Sequence, residues 1–199
     1  SKYPLEKSFL MNEKMIKFQK QSEFYDVHNI HPLISGTCGP NLNYFLESNH
    51  LIITGTGEMI NYSPDNYPPW YNDQTSVYNV SIEDGVVSIG EYAFYYCKGL
   101  ISITISDSVI SIGYGAFGYC SNLASIKIGN GINSIGDYAF RNCGSLESIT
   151  IPDGVTSIGS QTFRNCTSLE SIEIGTGVIS IREYAFFNCI GLTSITIPD

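Results

Sequence analysis

From residue 77 onward, apolar positions recur in a fixed cadence. Leu100-x-x-Ile103-x-Ile105 places large aliphatic residues two apart, the alternation of a strand with one buried face. A polar turn such as Asp153-Gly154 follows, then a second extended stretch of the form Val155-x-x-Ile158-Gly159. Next comes Tyr138-Ala139-Phe140-x-x-Cys143 and its equivalents, with helical spacing but room for only a turn or two. Gly144-Ser145 then returns the chain to the next Leu.

The whole unit repeats every 23 residues without slippage. Ser-Ile-Gly stands at 88–90, 111–113, 134–136 and 157–159, with Ser-Ile-Arg at 180–182. Phe94, Phe117, Phe140, Phe163 and Phe186 keep this register, as do Cys97, Cys120, Cys143, Cys166 and Cys189. Leu100, Leu123, Leu146, Leu169 and Leu192 keep it too. A unit this short cannot bury its apolar side alone, so neighbours must stack into a solenoid with a parallel sheet on one wall. The connections are expected to be right-handed. The first strand row is Val77-x-x-Val80-x-Ile82 and the last runs from Leu192 to Ile197, giving five repeats and one further strand. The predicted class is α/β, with short helical turns on the wall opposite the sheet.

Upstream, Leu42–Glu47 and Leu51–Thr54 read as strands joined by a Ser48-Asn49 turn. The expected organisation is an N-terminal extension over 1–34, a β-rich cap over 35–76 and the solenoid over 77–199. Trp70 and Tyr71 lie 23 residues before Ala93 and Phe94, and are expected to lie as aromatic lids over the first Phe position. Residues 5–27, with Leu5, Phe9, Met15 and Phe18, suggest an amphipathic helix.

The pattern Leu-x-x-Ile-x-Ile-Pro-Asp-Gly-Val-x-x-Ile-Gly-x-x-Ala-Phe-x-x-Cys-x-x-Leu resembles the BspA-like leucine-rich repeat. Residues 146–169 match it, except that Thr162 stands where Ala is usual. Ser106 replaces the Pro and Arg182 the Gly elsewhere, departures that touch local corners. Ser35-Gly-Thr-Cys-Gly39, Leu51-Ile-Ile-Thr-Gly-Thr-Gly57-Glu-Met59 and Pro68-Pro-Trp70-Tyr71 are similar to the segment that precedes such repeats. The resemblance covers about 35–199. It implies an extracellular or cell-surface protein that acts as an adhesin for host or extracellular-matrix proteins. A structural spacer within a larger surface protein is the alternative.

Composition narrows the rest. Of 199 residues, 19 are acidic and 10 basic. Five of the basic ones, Lys2, Lys7, Lys14, Lys17 and Lys20, precede residue 21; after it five bases face seventeen acids, a net of −12. Such a body is a poor match for nucleic-acid phosphates. No run approaches the roughly 20 apolar residues of a membrane span. Ser1 is not a natural start and is compatible with removal of a signal peptide.

The cysteines invite a disulfide or metal reading. Equivalent side chains in stacked coils point the same way, however, so the column is expected to hold free, buried thiols. Cys38 is expected to be free as well. His28-Asn-Ile-His31 reads as a solvated loop ahead of Pro32. No nucleophile with a base, phosphate loop or cofactor motif is present, so no enzyme and no cofactor are expected. Asn61, Asn79 and Asn165 open glycosylation sequons, and Asn165, at a corner, is expected to be the most accessible.

Binding is expected on the outward face of the sheet. One outward column, Asn79, Ser102, Ser125, Ser148, Ser171 and Ser194, is nearly invariant and reads as a structural hydroxyl ladder. A second outward column, Ser81, Thr104, Lys127, Thr150, Glu173 and Thr196, varies, and so does a flanking column, Tyr78, Ile101, Ala124, Glu147, Glu170 and Thr193. Variation on a fixed scaffold is where a binding surface would be written, so Tyr78, Ile101, Thr104, Lys127, Glu147, Thr150, Glu170 and Glu173 are the candidate partner-binding residues. Ile195 and Ile197, past the last full repeat, are expected to face an open core and promote self-association through that end.

Overall fold

The computed structural model describes residues 34–198. The helix expected over 5–27 and the loop at His28–His31 lie outside the described residues. The first three strands form an antiparallel meander. Strand β1 (Ile34–Gly39) pairs with β2 (Leu42–Glu47), and β2 pairs with β3 (His50–Gly55). Ser48 and Asn49 link β2 to β3 with φ of 46° and 69°, the left-handed pair that a two-residue hairpin requires. Strand β3 then pairs in parallel with β5 (Asn79–Ile82), and the repeat rows continue from it.

Each coil contributes a strand to each of two parallel walls. The first wall adds β7 (Ser102–Ile105), β9 (Ser125–Lys127), β11 (Ser148–Ile151) and β13 (Ser171–Ile174). The second wall runs from β4 (Gly57–Glu58) through β6 (Val86–Ile89), β8 (Ser111–Ile112) and β10 (Ser134–Ile135). It resumes with β12 (Ser157–Ile158) and β14 (Ser180–Ile181). Equivalent residues pair across coils, Ile103 beside Val80 and Ile126 beside Ile103, so one inward column is continuous aliphatic.

The third wall corrects the sequence reading. It holds no helix, and the α/β class does not apply: this is a β-solenoid whose described residues include a single short 3-10 turn at Tyr71–Asp73. The backbone bonding explains why. Alternate N–H groups leave the coil: Tyr92 N donates to Tyr114 O at 2.9 Å, Phe94 N to Ala116 O at 2.7 Å and Tyr96 N to Gly118 O at 2.9 Å. The intervening donors turn back three residues, Tyr95 N to Tyr92 O and Cys97 N to Phe94 O. A helix would spend its donors within its own segment, four residues back. Stacking diverts half of them, and the alternation drives Tyr92, Tyr96, Tyr119, Tyr138, Asn142 and Asn165 to positive φ.

The core between the walls is a set of columns. Phe94, Phe117, Phe140 and Phe163 are fully buried, and successive rings from Phe94 to Phe186 lie 5.2–5.5 Å apart and within 6° of parallel. Coils related by translation can place identical rings only in parallel, and the offset stack is the favourable form of that arrangement. Trp70 closes the column, 5.4 Å from Phe94, with its Nε1 donating to Ala93 O at 2.9 Å. Tyr71 does not join it: its ring stacks on Tyr67 at 3.9 Å. The 23-residue offset places Tyr71 on Phe94, yet Trp70 takes the ring's place because the chain enters through the Tyr71–Asp73 turn rather than through a repeat corner. Thr162, the departure from Ala, is buried and donates its hydroxyl to Gly159 O at 2.9 Å, so its polar atom is satisfied.

The last expected row does not form a strand: residues 192–198 carry no regular structure. In the final coil Ile179, Phe187, Ile190 and Ile197 are exposed.

Candidate functional site: the outer face of the first wall

Strand alternation puts Thr104, Lys127, Thr150 and Glu173 on solvent, while Tyr78, Ile101, Glu147 and Glu170 each stand one residue before their strand. Tyr78, Ile101, Thr104, Lys127, Glu147, Thr150, Glu170 and Glu173 are all exposed, while Ile103, Ile105, Ile149 and Ile151 on the opposite side of the same strands are buried. The parallel register sets Thr104 beside Lys127 and Thr150 beside Glu173, and Thr150 Oγ1 donates to Glu173 Oε2 at 3.2 Å. Glu170 follows Glu147 one coil on, with Glu170 N donating to Glu147 O at 2.9 Å. Two adjacent rows thus carry three carboxylates, Glu173 within β13 and Glu147 and Glu170 just before β11 and β13, with Lys127 the cation one row away. Tyr78 and Ile101 lie at the other end, where Ile101 N donates to Tyr78 O at 2.8 Å. The structure thus makes two groups, one acidic and one apolar, rather than a single cluster.

The hydroxyl column is looser than expected. Ser102 Oγ donates to Asn79 Oδ1 at 2.7 Å, whereas Ser125, Ser148 and Ser171 stand exposed.

Sequence reasoning missed a break in the platform. Parallel pairing runs continuously from β3 to β9, stops, and resumes between β11 and β13; the second wall stops at the same level, between β10 and β12. Where Ser106 N donates to Ile82 O at 3.1 Å, its equivalent Pro152 has no N–H to offer. The rows part enough to leave a depression of about 590 Å³ lined by Ile126, Lys127, Ile128, Ile149, Thr150 and Glu173, among others. Ile126 and Ile128 are only half-buried there, although their equivalents Ile103 and Ile105 are buried. Arg182, which breaks the Gly column, reaches back across this junction to Asp137, Nη1 to Oδ1 3.5 Å. The pair is exposed, so its contribution is at most about 1 kcal/mol.

The thiols are structural. Cys120, Cys143, Cys166 and Cys189 each donate Sγ–H to the carbonyl of Phe94, Phe117, Phe140 and Phe163 respectively, at 3.0–3.2 Å. Each sulfur is thus directed at a backbone oxygen of the preceding coil. All six cysteines are free and buried. Burial pushes Cys38, Cys97 and Cys143 up to about 12 and holds Cys120 and Cys166 well above the usual thiol range. A neutral, enclosed thiol is a poor nucleophile. In native protein none of the six should react with an aromatic disulfide reagent within minutes, and all six should react in denaturant. Rapid labelling of the native chain, or a Cys120–Cys143 crosslink found by mass spectrometry, would contradict this arrangement.

Asn165 is not the accessible sequon expected. Its Nδ2 donates to Asn142 Oδ1 and its Oδ1 accepts from Asn188 Nδ2 at 3.1 Å, so the side chain is a rung of an amide ladder. Asn61 and Asn79 are the exposed members.

No helix among the described residues is long and apolar enough to cross a membrane. No curated protein matches the chain. Among solved structures it is similar to a leucine-rich repeat protein from Eubacterium ventriosum, at 28% identity and a TM-score of 0.76, over 84% of this chain and 44% of that one. A leucine rich cell surface protein from Faecalibacterium prausnitzii is similar at 25% identity and a TM-score of 0.62, over 84% and 55%. A leucine-rich repeat protein of T. pallidum is similar at 28% identity and a TM-score of 0.58, over 79% and 69%. The chain spans about half the length of the first two. The model of the BspA type leucine rich repeat region matches residues 87–199 in six copies, more than half of the sequence. The stacked 23-residue coils with their Phe, Cys and Leu columns are those of a leucine-rich repeat, and the chain belongs to the BspA-type leucine-rich-repeat family.

Proposed function

We propose that this chain is the binding part of a secreted or surface-displayed protein, an adhesin for host or extracellular-matrix proteins, with no catalytic role. One observation carries the reading: on an otherwise repetitive scaffold, one outward column of the first wall and the column flanking it change from coil to coil, and all eight candidate residues reach solvent. Interior positions are constrained by packing; exposed ones are free to be set by a partner. The similarity to a structure described as a cell surface protein supports the location. Glu147, Glu170 and Glu173 favour a partner that presents Lys or Arg, which would speed encounter and fix orientation.

The test is a panel of immobilised extracellular-matrix proteins, probed with the chain and with a triple E147K/E170K/E173K variant. Retention on at least one partner, weakened tenfold or more by the charge reversal and by raised salt, is the expected result. Retention indifferent to these three and to Tyr78→Ser and Ile101→Ser would remove the sheet face from the reading. No retention on any of the panel would favour the spacer.

A further inference from the structure

The third wall carries a surface that the sheet-face reading does not use. Six tyrosines, Tyr92, Tyr95, Tyr96, Tyr114, Tyr119 and Tyr138, touch one another across three coils. Tyr95 meets Tyr92, Tyr96 and Tyr119 edge to face at 4.7–5.4 Å and 76–88°. Tyr96 stacks on Tyr119 at 4.6 Å. Tyr92, Tyr114 and Tyr138 make a second row at steps of 5.3 and 5.1 Å. Glycine at 118 is what admits Tyr95: a Cβ there would come within 2.9 Å of its ring. None of the six is fully buried, and Tyr96 and Tyr114 are 38% and 37% exposed. Of the six, Tyr92 also packs against the core; an exposed, contiguous aromatic patch of this kind marks an interaction site.

Charge points to the partner. The described body is strongly acidic, yet three of its five cations, Lys98, Arg141 and Arg164, lie on this wall over aromatic rings. Arg141 lies 5.8 Å from the Tyr119 ring centre and 5.4 Å from that of Tyr138. None of these three cations has a carboxylate partner among the described residues. The acids nearest in sequence to Lys98 and Arg141 are Glu91 and Asp137, and Asp137 is already engaged by Arg182 and by Ser160 N. The surface therefore offers aromatic rings, phenolic hydroxyls and unpaired cations in rows along the stack. Its step of 5.1–5.3 Å is shorter than the two-residue repeat of an extended peptide, about 6.6 Å.

We propose that the tyrosine wall binds an acidic polysaccharide chain running along the solenoid, with Lys98 and Arg141 meeting its carboxylates or sulfates. The probes are heparin for sulfate, polygalacturonate for carboxylate and dextran as the neutral control, each immobilised. The informative variant is Tyr96→Asn with Tyr119→Asn. Asn occupies the same column at 142, 165 and 188 with the same positive φ, so the backbone is preserved. A second variant is Lys98→Gln with Arg141→Gln, and circular dichroism checks that both fold. Binding to at least one acidic chain but not to dextran, falling with salt and at least tenfold weaker in each variant, is the expected result. E147K/E170K/E173K should bind the polysaccharide at least as well as the parent, which separates this wall from the sheet face. Failure to bind either acidic chain, binding that survives both variants, or tyrosine-dependent capture by poly-glutamate in place of both polysaccharides would overturn the proposal.

Discussion

Raising the pH from 9 to 11 should unfold this protein. Cys38, Cys97, Cys120, Cys143 and Cys166 keep their protons in the native state because burial opposes the thiolate. In the unfolded chain the same thiols ionise near 8.5. Above that value the unfolded state binds fewer protons than the native one, so stability falls as pH rises. The thiol contribution is whole below about pH 8.5 and is lost progressively toward about 12. Cys38, Cys97 and Cys143, each near 12, are worth roughly 1 kcal/mol apiece per pH unit across that window and together on the order of 6 kcal/mol over two units, and Cys120 and Cys166 act in the same direction. That sum is comparable to the whole stability of a typical domain. Tyr114, pushed up to about 12 by burial and its tyrosine neighbours, adds to the same slope. Urea midpoints followed by circular dichroism from pH 7 to 11 should stay level and then drop steeply above 9. Replacing Cys120 and Cys143 by Ala should flatten the drop by about two protons. A midpoint unchanged between pH 8 and 10 would mean the thiols are not enclosed.

Phe140→Ala should cost about 3–5 kcal/mol, the range for emptying a buried aromatic site. Phe140 is fully buried between Phe117 at 5.3 Å and Phe163 at 5.5 Å, so the cavity would interrupt the column in mid-stack. Because each coil is supported by its neighbours, the loss falls on coupling as well as on the coil itself. The urea transition should shift and broaden, and it should split if the two halves unfold separately. Phe186→Ala should cost less than half as much: that ring is only half-buried and has a neighbour at 5.5 Å on one side. Phe94→Ala should resemble Phe140→Ala, since Trp70 covers Phe94 as a further ring would. Equal, small effects at all three positions would show that the column is not the core.

How much could be read beforehand depended on whether a residue acts through its own repeat or through the next one. The hairpin at Ser48-Asn49 and the strand rows were legible because turn chemistry and alternation are local. Tyr138-Ala139-Phe140-x-x-Cys143 misled because its apolar spacing fits a helical turn and a stacked turn equally well. The difference lies in where the N–H groups of Tyr138 and Phe140 go, to Ser160 O and Thr162 O of the following coil. Trp70 was recognised as a lid, but Tyr71 was not separable from it, since the offset of 23 holds only within the repeat. Asn165 looked like an exposed corner because its partners Asn142 and Asn188 are remote in the chain, one coil away on either side.

By itself the sequence determined that there would be stacked coils, which columns would fill their interior, and which strand residues would face water. A period of 23 fixes the first, because a coil of that length can bury its apolar side only against a copy of itself. Alternation of side chains fixes the others. Tertiary structure alone decided that the third wall is laced between coils rather than coiled into helices. It also decided that both strand walls part at one level, and that six tyrosines from three coils meet in one patch. Each of these depends on hydrogen bonds and ring contacts between residues about 23 apart, whose geometry is set by how neighbouring coils sit on one another. No single coil contains that information.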